Sequence, residues 1–116
     1  MDDVRLKMMK SSGILINTAR GPIVDPEALY RALSSGTIAY AALDVTEPEP
    51  IHPDNPLLSL DNIIITPHIA SASFQTRSKM ATMAAANLIA GLKGECLPNC
   101  VNPQVYTRIS GNEPGR

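Results

Sequence analysis

The chain has 116 residues, room for one domain or a piece of one, and 44% of them are hydrophobic, ample for a buried core. Aromatic residues make up only 3%, so Ile, Leu, Val, Ala and Met must fill that core. A net charge of -1, with no basic run and no stacking aromatic series, argues against a nucleic-acid or acidic-membrane partner.

Elements follow in alternation. Gly13-Ile14-Leu15-Ile16-Asn17 is a short apolar run between turn residues and reads as a strand buried on both faces. Asp25 then has the features of a helix N-cap, with Pro26 at the first helical position and Glu27 near the positive helix end. Leu29 and Leu33 share one face of that helix with Ala28 and Ala32, and Gly36 ends it. Ala39 to Val45 is the second strand, small enough for close packing. A Pro-rich loop from Thr46 to Pro56 excludes a helix there, and Leu57, Leu58 and Leu60 are expected to fold it back onto the body. Asn62-Ile63-Ile64-Ile65-Thr66 is the third strand.

Ser73 to Lys93 is the longest predicted helix. Met80, Ala84, Leu88 and Leu92 repeat at four-residue spacing beside a stripe of Ala81, Ala85 and Ile89, an apolar face wide enough for more than one partner. Gly94 is its stop, and the segment from Pro98 to Arg116 reads as an extended tail with a frayed end. The most apolar part of the helix, Met80 to Leu92, is interrupted by Asn87 and Gly91 and is too short to span a bilayer. The acidic start Met1-Asp2-Asp3 carries no apolar signal stretch, so a soluble cytoplasmic protein is expected. Cys96 and Cys100 have no nearby histidines; they read as two reduced thiols, with a mutual disulfide as the alternative, and no metal site is expected.

Strands alternating with helices imply an α/β fold with a parallel sheet, in which ligands bind outside the carboxyl ends of the strands. Three charged or titratable residues follow strand ends. Arg20 precedes the sharp turn Gly21-Pro22, and its fork of donors suits a carboxylate, although pairing with a nearby acid such as Asp25 is the plainer reading. His68 follows Pro67 and is a candidate acid/base group or simply a satisfied imidazole; His52 in the Pro-rich loop reads as the latter. Glu49 sits between Pro48 and Pro50, rigid enough to hold an imidazole, with Glu47 an equally acidic neighbour. Asp44 ends its strand among apolar residues and needs donors, whether from a turn or from a ligand amide.

These phrases resemble the D-isomer-specific 2-hydroxyacid dehydrogenases. Ile16-Asn17-Thr18-Ala19-Arg20-Gly21 is similar to that family's arginine signature, and Ala41 to Val45 with Glu47-Pro48-Glu49-Pro50 to its glutamate signature. Asn62 to Ala70 is similar to its histidine signature, and the likeness runs from Leu6 to about Pro103. The resemblance implies the C-terminal half of a Rossmann-like doubly wound parallel sheet, followed by a long crossing helix and an extended tail. Residues 1–95 would be a partial dinucleotide-binding domain and 96–116 a tail towards a substrate domain. Arg20 would bind the substrate carboxylate, His68 would move the proton, and Glu49, by its place in the signature, would tune His68. Asp44 would hold the nicotinamide carboxamide, with Thr18, Ala19, Arg20, His68 and Ala70 around the ring. The implied reaction is NAD- or NADP-dependent reduction of a small 2-keto acid such as glyoxylate or hydroxypyruvate, in a homodimer. A phosphoglycerate dehydrogenase-type fragment and a non-catalytic dimerisation module are the alternatives. The chain holds no Gly-x-Gly-x-x-Gly turn to cradle a pyrophosphate, so it reads as a fragment without turnover by itself, undecided between NAD and NADP.

Overall fold

The structure, a computed structural model, describes residues 1–106, which divide into two compact units, Met1–Ser71 and the described residues from Ala72 on. The first unit runs α1 (Asp3–Lys7), β1 (Ile14–Asn17), α2 (Pro26–Ser34), β2 (Tyr40–Leu43) and β3 (Ile63–Ile65), with short 3-10 turns at Gly21–Ile23 and Pro56–Ser59. The strands lie in the order β1-β2-β3, and both pairings are parallel. Ile14 is opposite Tyr40, and Ala41 is opposite Ile63.

The second strand returns parallel to the first because α2 carries the chain back. Asp25 caps that helix through its carboxylate, which accepts from the amides of Glu27 and Ala28. Ala28, Leu29, Ala32 and Leu33 are all buried, in one cluster with Leu6, Val24, Ile38, Ala41, Leu43 and Leu57. The alanines let the helix come close to the sheet, and the leucines fill what remains. Leu6, Leu29, Ile38 and Val45 are the largest fully buried side chains. Withdrawing each from water contributes about 1.5–3 kcal/mol. Gly36, at φ +70°, turns the chain out of α2 in the left-handed region. The path from β2 to β3 holds no α-helix, as its prolines dictate. Leu57 anchors this path in the core, whereas Leu58 stays half exposed.

One expectation needs correction. The first strand is not buried on both faces. Alternation along the pleat puts Ile14, Ile16, Tyr40, Ala42 and Ile64 on one face and Leu15, Asn17, Ala41, Leu43, Ile63 and Ile65 on the other. The second set faces the cluster around α2. Ile14, Ile16, Tyr40 and Ile64 are exposed, because no element of Met1–Ser71 forms a second layer over them.

The second unit is led by α3 (Phe74–Leu92), started by Ser73, whose hydroxyl accepts from the Thr76 amide, and stopped at Gly94, φ +73°. Ala90 is its one buried residue; Phe74, Met80, Leu88, Ile89 and Leu92 are exposed. After the helix the described tail turns back rather than running straight. The Asn99 amide donates to Asn87 Oδ1 at 3.0 Å and the Leu97 amide to the Tyr106 hydroxyl at 2.9 Å. Cys96 and Cys100 are free thiols. The frayed end expected of the tail lies outside the described residues. Among those residues no helix is long and apolar enough to cross a membrane.

Candidate functional site

The site is built at the carboxyl ends of the three parallel strands, where the backbone leaves the sheet and side chains gather from three loops. The loop after β1 is shaped by Asn17, buried at the strand's last position. Its Oδ1 accepts from the Ala19 amide at 3.1 Å, and its Nδ2 donates to the Arg20 carbonyl at 2.9 Å. This turn sets the backbone of Thr18, Ala19 and Arg20, all of which are exposed. The Arg20 guanidinium donates to the Ala19 carbonyl at 2.6 Å. Among the described residues no carboxylate pairs with it, Asp25 included, since Asp25 is committed to its helix. Immediately beyond, Gly21 packs directly on the backbone of Thr46 and Glu47, so the first and second loops touch without an intervening side chain.

The loops after β2 and β3 meet more intimately. His68 Nδ1 lies 2.5 Å from Glu49 Oε1. A carboxylate can only accept, so Nδ1 carries the hydrogen and Nε2 is left to exchange a proton with a bound molecule. Glu49, not Glu47, reaches the ring. Both partners are close to half exposed, which leaves the imidazole accessible. His68 is also the one non-glycine residue with positive φ, +55°, among those described.

Asp44 is buried beneath this pair. Its Oδ1 accepts from the Thr66 hydroxyl at 2.6 Å and the Ile69 amide at 2.8 Å, and its Oδ2 from the Ala70 amide at 2.8 Å. The Thr66 hydroxyl holds the carboxyl below its ordinary range, against the opposing effect of burial, and the two amides and the charge of His68 act in the same direction. Asp44, Thr46, Glu49 and His68 border a cavity of about 530 Å³, with Ile51, Leu58 and Ile65 as its apolar wall. That size and mixture suit a small organic ligand or one end of a larger one. Arg20 does not line this cavity; it follows the end of β1. His52 sits apart on the Pro-rich loop and receives the Asp54 amide at 3.3 Å.

Two residues that organise the site carry no assigned role in the sequence reading. Asn17 offered a signal, since an Asn two residues before an exposed turn commonly bonds back to it. Thr66 offered none, because its partner is 22 residues away.

Residues 1–70 match the family model described as D-isomer specific 2-hydroxyacid dehydrogenase, NAD binding domain. The chain is 57% identical over 101 residues to the glyoxylate reductase of Korarchaeum cryptofilum, an alignment that takes in 87% of this chain and 30% of that protein. It is 55% identical over 101 residues to glyoxylate/hydroxypyruvate reductase B of Yersinia pestis, covering 87% of this chain and 31% of the relative. Among solved structures it is similar to the NADPH-dependent glyoxylate/hydroxypyruvate reductase of Sinorhizobium meliloti in complex with NADP and malonate. The TM-score is 0.68 at 46% identity, over 77% of this chain and 28% of that one. The match thus spans about 30% of the length of these relatives.

Proposed function

The chain belongs to the D-isomer specific 2-hydroxyacid dehydrogenase family, in its NAD binding domain, and on that footing we propose that it carries the acid/base half of an NAD(P)-dependent 2-keto acid reductase. The observation that carries this reading is the 2.5 Å bond between His68 Nδ1 and Glu49 Oε1 at the carboxyl ends of parallel strands. The bond fixes the tautomer and leaves Nε2 outside the pair. In reduction, protonated Nε2 donates to the keto oxygen as it gains charge; in oxidation the neutral nitrogen takes the hydroxyl proton back. Glu49 stabilises the imidazolium in the first case and keeps the ring in place in the second. The exposed Arg20 fork binds the substrate carboxylate and draws electron density from the neighbouring keto oxygen.

The donor set fits a nicotinamide at this end of the sheet. Asp44 Oδ2 takes one amide from the chain and has a second lone pair for a carboxamide N–H. Thr18, Ala19 and Ala70 are small and exposed, which leaves room for a ring. When bound, a reduced nicotinamide supplies the hydride to the keto carbon. The names of the relatives, and the NADP and malonate of the Sinorhizobium structure, support glyoxylate or hydroxypyruvate as substrate and a dinucleotide beside a small carboxylate. Residues 1–95 then form the catalytic half of the cofactor domain, in a cytoplasmic homodimer; the tail expected over 96–116 lies partly outside the described residues.

The test is a segment exchange. This chain replaces the matching stretch of the Korarchaeum glyoxylate reductase, and glyoxylate-dependent NAD(P)H oxidation is followed. The hybrid should turn over, and His68→Ala should lower kcat by ~10²–10⁴. A folded, active hybrid that keeps its rate after His68→Ala would overturn the proposal.

A further inference from the structure

His68 adopts φ +55°, a conformation that most non-glycine residues avoid, in a turn held by main-chain bonds, from the His68 amide to the Thr66 carbonyl at 3.0 Å and from the Thr66 amide to the Leu43 carbonyl at 2.8 Å, and by one buried carboxylate. Asp44 bonds to four residues of that turn, Thr66, His68, Ile69 and Ala70. Its carbonyl receives the His68 amide at 2.9 Å, Oδ1 receives Thr66 Oγ1 before the histidine and the Ile69 amide after it, and Oδ2 receives the Ala70 amide. Asp44 is itself tied to the sheet, its amide donating to the Asn17 carbonyl at 2.9 Å. We propose that Asp44, keyed by Thr66, is a positioning residue for His68, a buried carboxylate that holds the 66–70 turn in the one backbone state that lays the imidazole against Glu49.

The residue type follows from an acceptor count. Three donors converge on two side-chain oxygens, so both oxygens must accept. An asparagine offers one acceptor oxygen and would set its NH₂ against an N–H. The successive amides of Ile69 and Ala70 form a small anion-binding concavity for which the chain supplies its own anion. An asparagine keeping Oδ1 in place therefore leaves the Ala70 amide without a partner and facing an NH₂ group, and the cheapest way to relieve this is to let the turn open to water. His68 then relaxes to negative φ and its ring swings off Glu49. This role is compatible with a carboxamide on the second lone pair of Oδ2. Its catalytic consequence rests on the reading of His68 as proton carrier, but the geometry can be tested without turnover.

The experiment is NMR on the full 116-residue chain, comparing wild type with Asp44→Asn, Thr66→Val and Thr66→Ser. Two signals of His68 are read: the strong intraresidue Hα-to-amide NOE of a left-handed residue, and the ring Hδ1 resonance held by Glu49. Wild type and Thr66→Ser should show both. Asp44→Asn should lose both while the amide spectrum of β1, α2 and β2 persists, and Thr66→Val should lose intensity in both. Retention of both signals in a folded Asp44→Asn chain overturns the proposal. Should Asp44→Asn not fold, Thr66→Val decides alone, and unchanged His68 signals there overturn it. A positive NMR result with a failed segment exchange would place the error in the reaction assigned to His68, not in its positioning.

Discussion

A methyl group added at Gly21 tests whether the arginine and glutamate loops are truly packed backbone to backbone. A Cβ built there would lie 2.1 Å from the Thr46 carbonyl oxygen, 2.4 Å from its carbonyl carbon and 2.9 Å from the Glu47 nitrogen. All three are main-chain atoms, so no rotamer change relieves the clash, and the loops must part by more than about 1 Å to regain ordinary contact. Overpacking of this kind costs typically ~1–3 kcal/mol. In a unit this small that lowers the melting temperature by roughly 4–8 °C per kcal/mol, measured by circular dichroism at 222 nm. Gly36→Ala is the control. Its φ of +70° strains any side chain, but nothing lies within 4 Å of the new atom, so it should cost about 1 kcal/mol and leave the site alone. Gly21→Ala should melt lower and also displace the ring resonances of His68, because Glu49 rides on the loop that is pushed away. Melting no lower than Gly36→Ala, with His68 unmoved, would refute the argument.

Leu29→Ala should cost about 2–5 kcal/mol by urea unfolding, since Leu29 is fully buried between α2 and the sheet and leaves a cavity that the surroundings fill only in part. Acid should weaken the fold through Asp44. Its pKa is lowered on folding, so its contribution is complete above the unfolded value near 3.8 and is lost as pH falls through the folded value below that. Asp2, through the Arg5 amide, and Asp3, through the Arg31 side chain, act with the same sign. Because Thr66 is the largest cause at Asp44, Thr66→Val should shift the acid-unfolding midpoint to higher pH in a circular dichroism titration, and an identical midpoint would contradict the assignment.

Much of the fold is legible in local chemistry. Asp25-Pro26 announces α2, Gly36 and Gly94 mark helix ends, and the runs at 14–17 and 63–65 read as strands because few other structures use so short an apolar stretch. The five-residue α1 is too short to show a period, and the 3-10 turns leave none. Burial on both faces was misjudged at β1, because an apolar run records what a strand was selected to pack against, not which layers a given stretch of chain supplies. At the site, the residue types were readable and their wiring was not. Local rules could not separate Glu49 from Glu47; the resemblance pointed to Glu49, and the His68 contact depends on a loop closing over 19 residues. The left-handed state of His68 leaves no mark on composition, since it is imposed by donors and acceptors brought together by β-sheet register.

The pleat keeps the exposed apolar face apart from the site loops. The exposed row of Ile14, Ile16, Tyr40 and Ile64 looks out from the flat of the sheet, whereas Arg20, Glu49 and His68 stand on loops beyond the strand ends. Changes in whatever neighbours that flat face can accumulate without passing through the bonds that join Asp44, Thr66 and His68. A substitution on that face should therefore leave the bonds of the 66–70 turn unaltered.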